Sequence, residues 1–375
     1  MRKALSNLTI VILDEMSMVK PDMLYQIHMR LQEIKQSNSD FGGVSVILGG
    51  DLMQLRPVRA PWIFEPPKGV AFQLFHTAYP LWEQFQAVEL ITNHRQGADK
   101  TYGDLLNRIR FGQQTQEDLK VLHSRLTTNF PPNAVYIYGK KAPVNEQNNS
   151  ELELLPGECF TLEAYHMHPS YQKYKPYVKK DGHVGDTPFL NVLYLKIGAR
   201  VMITYNIDTS DWLTNGTTGT VVQIVHEKGK IVKVLIKLDH EKAGHHLRKK
   251  YEQKLASLKK EECTPIGRIS FEYSLGKSAK NHTAKAKVIQ FPLMLAWAMT
   301  GHKVQGGTIK HPTPVVVDMD SCFTAGQAYV MLSRIQNLSQ LFLKSFNPSK
   351  IMVSDKALKE AQKLKGRAIN NPQNC

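Results

Sequence analysis

Short runs of branched apolar residues alternate along the chain with stretches in which apolar side chains recur every three or four positions. The order of these runs predicts the architecture. Thr9 to Leu13 (TIVIL) is continuous and β-branched, the pattern of a strand buried on both faces of a parallel sheet, and it ends at Asp14 and Glu15. Pro21 suits a first helical turn because its φ is already fixed there, and Leu24, Ile27, Leu31 and Ile34 then fall on one face of a predicted helix. After a loop over Ser37 to Gly43, Val44 to Leu48 (VSVIL) is a second predicted buried strand, running into Gly49, Gly50 and Asp51. Strand, helix, strand, with an acid at each strand end, is the βαβ grammar of a doubly wound α/β domain. Residues 85–91 (FQAVELI) predict a third strand, and Tyr102 to Phe111 with Gln116 to Leu126 predict two helices.

The pair Pro131-Pro132 interrupts this pattern, and a domain boundary is expected near residue 128. Ala134 to Tyr138 (AVYIY) starts a new strand. From Gly198 the runs become short and β-like: ARVMITYNI, Thr220 to Val225 and Ile231 to Leu238, separated by Asn215-Gly216, Gly219 and Gly229. That is the pattern of a small antiparallel barrel inserted into a second α/β domain. Leu247, Tyr251, Leu255 and Leu258 place a helix on its very basic segment. The α/β pattern returns at Phe291 to Ala298, Pro314 to Asp318, a helix over Gln327 to Ser333 and a strand near Leu341 to Leu343. The expected divisions are therefore 1–128, 129–197, the inserted barrel with its basic helix at 198–290, 291–350, and a C-terminal tail at 351–375.

Composition narrows the class of protein. Of 375 residues, 42% are hydrophobic and 22% charged, which excludes wholesale disorder. The net charge is +15, yet residues 1–100 hold ten basic and ten acidic side chains, so the whole excess lies later, where 38 basic face 23 acidic residues. An anionic partner for the later part of the chain is expected, nucleic acid being the commonest, with a plain basic surface as the alternative. Cys159, Cys263, Cys322 and Cys375 form no C-x-x-C pair, and His240, His245, His246 and Cys263 have no zinc-site spacing. Neither a membrane span nor a secretory signal is present, and the chain reads as soluble and intracellular.

Two strand ends carry candidate chemistry. Phosphoryl transfer from a nucleotide needs one carboxylate to hold the Mg²⁺ shell and often a second to deprotonate water, and Asp14-Glu15 at a rigid strand end supplies both; an acidic pair there also serves as a helix cap. Gly50-Asp51-Leu52-Met53-Gln54 follows the second strand, and the Gln54 amide can donate to a γ-phosphate oxygen while accepting from water; a Pro-terminated loop is the bland reading. Aromatics interleaved with lysines over Tyr171 to Lys180 fit either a single-strand contact or a solvated loop. The helix around Arg248, Lys249, Lys250, Lys254, Lys259 and Lys260 has the same two readings.

Seven segments carry a family resemblance in their order: VILDEMSM (11–18), FGGVSVILGGDLMQLRPV (41–58), ELITNHRQ (89–96), GARVMITYNID (198–208), LTNGTTGTVV (213–222), LAWAMTGHKVQGGTI (295–309) and AYVMLSRIQNL (328–338). Together they resemble the Pif-family DNA helicases, the RecD-like branch of helicase superfamily one. The resemblance implies two RecA-like domains of the P-loop NTPase type, the first incomplete here, with ATP between them and single-stranded DNA crossing both. It implies 5′ to 3′ translocation and unwinding at fork junctions, in replication, recombination, repair or telomere maintenance, alongside replication or repair proteins and in the nucleus or mitochondrion. It assigns Asp14 to Mg²⁺ through water, Glu15 to activating the attacking water, Gln54 to sensing the γ-phosphate, and Arg95 and Arg334 to stabilising charge as the γ-phosphoryl leaves. It assigns Thr300, His302, Lys303 and Gln305 to DNA, and Asn148 to the neighbourhood of the DNA path. The family usually has an apolar residue at Gly301 and Ser at Val304, so contacts by those two positions are not carried over.

No G-x-x-x-x-G-K-[ST] run occurs in the 375 residues; the one Gly-Lys-Ser, Gly276 to Ser278, has Phe271 where the first Gly belongs and reads as a turn. In the family that phosphate loop precedes the Asp-Glu strand. Two expectations follow: the chain is a fragment of an ATP-dependent helicase, or it is an inactive single-stranded DNA-binding remnant, with a rolling-circle transposon helicase as one source. Either way, negligible ATP hydrolysis is expected of the polypeptide alone.

Overall fold

The computed structural model describes residues 5–66, 81–167, 176–274 and 285–367. Gly276 to Ser278, Tyr171 to Lys175 and Cys375 lie outside the described residues. By internal packing the chain divides into one unit of residues 1–140 with 300–375 and another of 141–299.

In the first unit, β1 (Ile10–Leu13) and β2 (Ser45–Leu48) pair in parallel, Ile10 opposite Ser45 and Leu13 opposite Leu48. Between them runs α1 (Pro21–Lys35), with proline in its first turn as the sequence predicts. Leu24 and Leu31 of α1 are buried in a core that also takes Val11, Leu13, Val46 and Leu48 from the strands, together with Trp62, Trp82 and Ala357. The strands were expected to be buried on both faces, and here the structure differs. Ile10, Ile12 and Ile47 are 52%, 69% and 52% exposed. A single helix layer covers the side bearing Val11 and Leu13, and among the described residues no element covers the other.

The third strand expected over 85–91 does not form. Leu90 and Ile91 are almost wholly exposed, and the first sheet has two strands among the described residues. The segment has the composition of a strand, but composition does not supply a ladder partner, and strand preference is realised only by pairing and burial. Two helices follow, α2 (Lys100–Arg110) and α3 (Gln116–His123). Asp99 caps the first, accepting from Tyr102 N at 3.1 Å. A capping box opens the second, in which Asp118 N donates to Thr115 Oγ1 at 3.2 Å and Thr115 N donates to Asp118 Oδ2 at 2.9 Å.

Three parallel strands of a second, four-stranded sheet lie side by side as β3 (Val135–Tyr138), β4 (Val315–Asp318), β5 (Leu341–Ser345), with Val315, Val317, Leu341 and Leu343 fully buried. Near it lie the short helix Gly301–Val304 and the helix Gln327–Leu332, both reached below through the residues they carry. Residues 355–366, within the expected C-terminal tail, form a helix. Ala357, Leu358, Ala361 and Leu364 pack into the core of α1, and Trp82 Nε1 donates to Glu360 Oε1 at 2.8 Å. Lys356, Lys359, Lys363 and Lys365 give the segment a polar composition that conceals this stripe.

The second unit is mainly antiparallel. Its largest sheet has five strands in the order 264–266, 230–238, 218–227, 200–203 and 293–295. Val201, Ile203, Val221, Val234 and Ile236 from this sheet share a core with Leu162, Leu193, Phe291 and Trp297. The expected barrel strands are thus present as a sheet, and the return expected at Phe291 pairs with it, Leu293 opposite Ile203. No ladder joins the two outer strands among the described residues. The basic helix expected around Leu247 to Leu258 is two short helices, His245–Lys250 and Glu252–Ser257, with Leu255 packed on Val225, Leu235 and Cys263.

One ion pair gives the first unit an acid-sensitive joint. Arg108 donates to both Asp118 oxygens at 2.7 and 2.6 Å. Hydrogen bonding from Arg108, helped by the Thr115 cap, holds the Asp118 carboxyl down at about 2, well below its ordinary value of 3.8. A depressed carboxylate stabilises the fold fully above its unfolded value and loses that contribution as pH falls through the folded one. Asp118→Asn is therefore expected to cost about 1–2 kcal/mol at neutral pH. It should also flatten the stability profile between about pH 4 and pH 2, read by urea unfolding across that range; an unchanged acid limb would contradict this.

Candidate functional site

The first unit brings the two acidic strand ends together with three arginines. β1 delivers Asp14 and Glu15, whose backbone turns sharply: Glu15 has φ 53 and its N–H donates to Asp14 Oδ1 at 2.8 Å. A non-glycine residue in the left-handed region is costly unless its surroundings hold it there. Met16 N, bonded to Gly49 O at 2.9 Å, and Gln305 do so here. Gln305 Nε2 donates to Glu15 Oε2 at 2.9 Å and lies 3.2 Å from the buried Ser17 Oγ. Gly306 follows with φ 79, and a Cβ there would stand 3.1 Å from Glu15 Oε1. A glycine lets this backbone approach the carboxylate.

β2 delivers Asp51 and the loop bearing Gln54. Arg110 from α2 grips Asp51 with two hydrogen bonds of 2.9 Å, and Met53 N donates to the same carboxylate at 2.9 Å. Burial pulls the Arg110 guanidinium down, but Asp51 outweighs it and holds the pKa above the ordinary value. The Gln54 backbone abuts Gly326, where φ is +76 and a Cβ would meet Met53 O and Gln54 O at 2.6 and 2.7 Å. Gly326 starts the helix that leads to Arg334, so the Gln54 loop and that helix are in direct contact.

Arg334 is 1% exposed. Its guanidinium donates to Val330 O at 2.8 Å, Gly307 O at 3.3 Å and Ser333 Oγ at 2.6 Å. Among the described residues it forms no ion pair with a carboxylate. Burial first, and the nearby Arg95 second, pull its pKa down to about 10, against the opposing pull of Tyr329, Glu15 and Asp51. Arg95 donates to Thr308 Oγ1 at 2.8 Å and Ser333 O at 3.1 Å, and burial lowers its pKa too. A buried guanidinium beside a half-buried one, both donating only to neutral oxygens, forms an anion-seeking site, because a buried charge is costly until it is matched. Gln54 Oε1 and Gln305 Oε1 are both buried without a hydrogen-bond partner among the described residues. They are acceptors of the kind that a water or ligand donor satisfies.

Of the expected DNA-contacting residues, Thr300 caps the helix Gly301–Val304, its Oγ1 accepting from Lys303 N at 3.3 Å. His302 and Lys303 on that helix are half-buried, and burial lowers both pKa values. His302 is thus neutral at pH 7 and offers hydrogen bonds rather than charge. Gln305 joins this segment to Glu15. Asn148, expected near the DNA path, lies in the other unit. It is 5% exposed, its Nδ2 donates to Ala298 O at 3.0 Å and its Oδ1 accepts from Ala298 N at 2.9 Å. Both ends of the amide are spent on the backbone of one residue, Ala298, forming a structural clasp. The sequence reading missed Arg110, Tyr329 and the part Asp51 plays. Tyr329 is half-buried, and its pKa is raised by burial and by Asp51. The one available signal was that Asp51 ends β2 as Asp14 ends β1.

Parallel strands that end in acids, a neighbouring glutamine loop and two neighbouring arginines, one of them buried, define a RecA-like α/β protein. Residues 1–120 match the PIF1-like helicase family, and residues 188–224 match the family described as DNA helicase Pif1, 2B domain. Over nearly its whole length the chain is similar to the Pif1-like helicases. It is 26% identical over 361 residues to the human ATP-dependent DNA helicase PIF1, covering 95% of this chain and 49% of that protein. Bacteroides Pif1 bound to single-stranded DNA superposes with a TM-score of 0.71 at 26% identity, covering 98% of this chain and 78% of that one. The Bacteroides Pif1 helicase in complex with ADP-AlF3 and single-stranded DNA gives 0.70 at 25% identity, with the same coverage. The chain spans about half the length of the animal and fungal relatives it matches.

Proposed function

We propose that the chain carries the ATP-hydrolysing and DNA-tracking core of a helicase that moves 5′ to 3′ on single-stranded DNA and opens duplexes at forks. The observation that carries this reading is Arg334, buried beside Arg95 without a carboxylate partner among the described residues, in a pocket that also feels Glu15 and Asp51. A γ-phosphate matches that unmet charge. Its negative charge would be shared by the two guanidinium groups, and Glu15 would take a proton from the attacking water. Gln54, touching the helix that leads to Arg334, would report the occupant of the pocket to that helix. The residues present fit a nucleotide-bound Mg²⁺: Asp14 is exposed at a strand end, where it would hold the ion through water. When bound, the ion would neutralise phosphate charge. The relatives solved with ADP-AlF3 and with single-stranded DNA support the same reading. The nucleus is the expected setting, with the mitochondrion as a second.

For DNA, we assign Thr300, His302, Lys303 and Gln305 to a phosphate-contacting segment. Gln305 ties it to Glu15, so a strand bound there would bear directly on the hydrolytic carboxylate. Binding of the 375-residue chain to oligothymidylate is expected to weaken steeply with salt. Lys303→Ala is expected to lower affinity and to reduce the salt slope by about one. Fluorescence anisotropy across a salt series checks both, and no detectable binding at low salt would overturn the DNA assignment.

A further inference from the structure

In the second unit, Trp212 combines three features that are individually uncommon. Its φ is 58, a left-handed backbone that is a genuine outlier for a bulky side chain. Its side chain is 55% exposed, whereas Trp62, Trp82 and Trp297 are 3%, 6% and 9% exposed. Its ring stacks on His240, with centroids 5.2 Å apart and planes 18° from parallel. One face of the indole is thus backed by an imidazole while much of the ring remains open to solvent. A tryptophan usually buries its apolar body, so an exposed one held in a strained backbone invites a functional explanation.

The surrounding loop is rigidly anchored. Leu213 is 1% exposed and exchanges hydrogen bonds with Asp208, donating at 2.9 Å and accepting at 3.2 Å. Thr217 Oγ1 donates to Trp212 O at 3.0 Å. Asp211, 2% exposed, accepts from His246 N at 2.9 Å and Leu247 N at 3.2 Å, and its carbonyl accepts from Gly244 N at 2.9 Å. These bonds fasten the residue beside Trp212 to the segment 240–250. That segment carries Lys242, Arg248, Lys249 and Lys250 against one acid, Glu241. Arg248 is spent on Ala243 O and Thr264 Oγ1, but Lys242, Lys249 and Lys250 are exposed and form no ion pair among the described residues.

We propose that Trp212, backed by His240, is a stacking platform for a base of single-stranded DNA, with Lys242, Lys249 and Lys250 serving the adjoining phosphates. An aromatic face beside unpaired cations is the chemistry by which proteins hold single strands without reading their sequence. Rigidity adds to it, because a platform that is already ordered loses little entropy on binding. The site rests on the single-stranded DNA reading above and adds to it a second contact region, on the antiparallel unit.

The test pairs anisotropy of a labelled oligothymidylate with tryptophan emission of the unlabelled complex. Because the other three tryptophans are buried, quenching on binding reports Trp212. Trp212→Gly relieves the left-handed backbone and so is expected to fold. It should bind about tenfold more weakly and lose the quenching, while Trp212→Phe keeps most of the affinity. Binding without quenching, or Trp212→Gly binding as tightly as the parent, would overturn the platform alone. Failure of every variant to bind at low salt would overturn the DNA reading and the platform with it.

Discussion

The 375-residue polypeptide is expected to hydrolyse ATP no faster than buffer, with or without single-stranded DNA, and Glu15→Gln is expected to change nothing in that background. The reason is the division of labour in phosphoryl transfer. In the proposed reading Glu15, Arg95 and Arg334 would act on the γ-phosphate end, but the triphosphate must first be cradled by the backbone N–H groups and lysine of a phosphate loop. The 375 residues contain no such run. Without it the reacting atoms are not held in line, and positioning alone is worth about 7–11 kcal/mol of barrier. Coupled-enzyme or phosphate-release assays check this, and DNA-stimulated turnover by this polypeptide that vanishes in Glu15→Gln would contradict it.

The second large effect is expected once a phosphate loop is supplied, for example by joining the loop-bearing segment of a Pif1 relative to the front of this chain. DNA-stimulated hydrolysis is then expected, and Arg334→Ala should lower kcat by about 10³ to 10⁵, the range for arginines that meet charge developing in the transition state. Arg334 also bonds Val330, Gly307 and Ser333, so a loss of activity through misfolding must be told apart. Arg334→Lys keeps the charge without the fork geometry. It should restore folding as judged by urea unfolding while recovering little of kcat. Equal recovery of both would give Arg334 a purely structural role.

Much of the first unit was legible because its signals are local. The β-branched runs at Thr9 to Leu13 and Val44 to Leu48, and the stripe beginning at Leu24, form the paired strands and helix they predict. The failures are non-local. Residues 85–91 have strand composition but no ladder, and the helix at Asp355–Gly366 was concealed by lysines on its outer face. At the site, Glu15, Gln54, Arg95, Arg334 and Gln305 came from ordered motifs shared with a family, and the structure gathers them in one unit. The Arg110–Asp51 pair spans 59 positions and leaves no periodic trace, so it emerges only from the fold. Asn148, placed by its motif near the DNA path, clasps Ala298, a contact 150 positions away that the motif did not reveal. Trp212 was invisible because backbone φ has no signature in hydropathy.

The central claim is that Glu15 faces the γ-phosphate pocket built by Arg95 and Arg334. Its most direct test is the single-turnover rate of ATP hydrolysis on single-stranded DNA, measured in the loop-supplied protein with Glu15 and with Glu15→Gln. A fall of about 10² to 10⁴, with nucleotide affinity preserved, is expected for the loss of a general base. An unchanged rate would contradict the account.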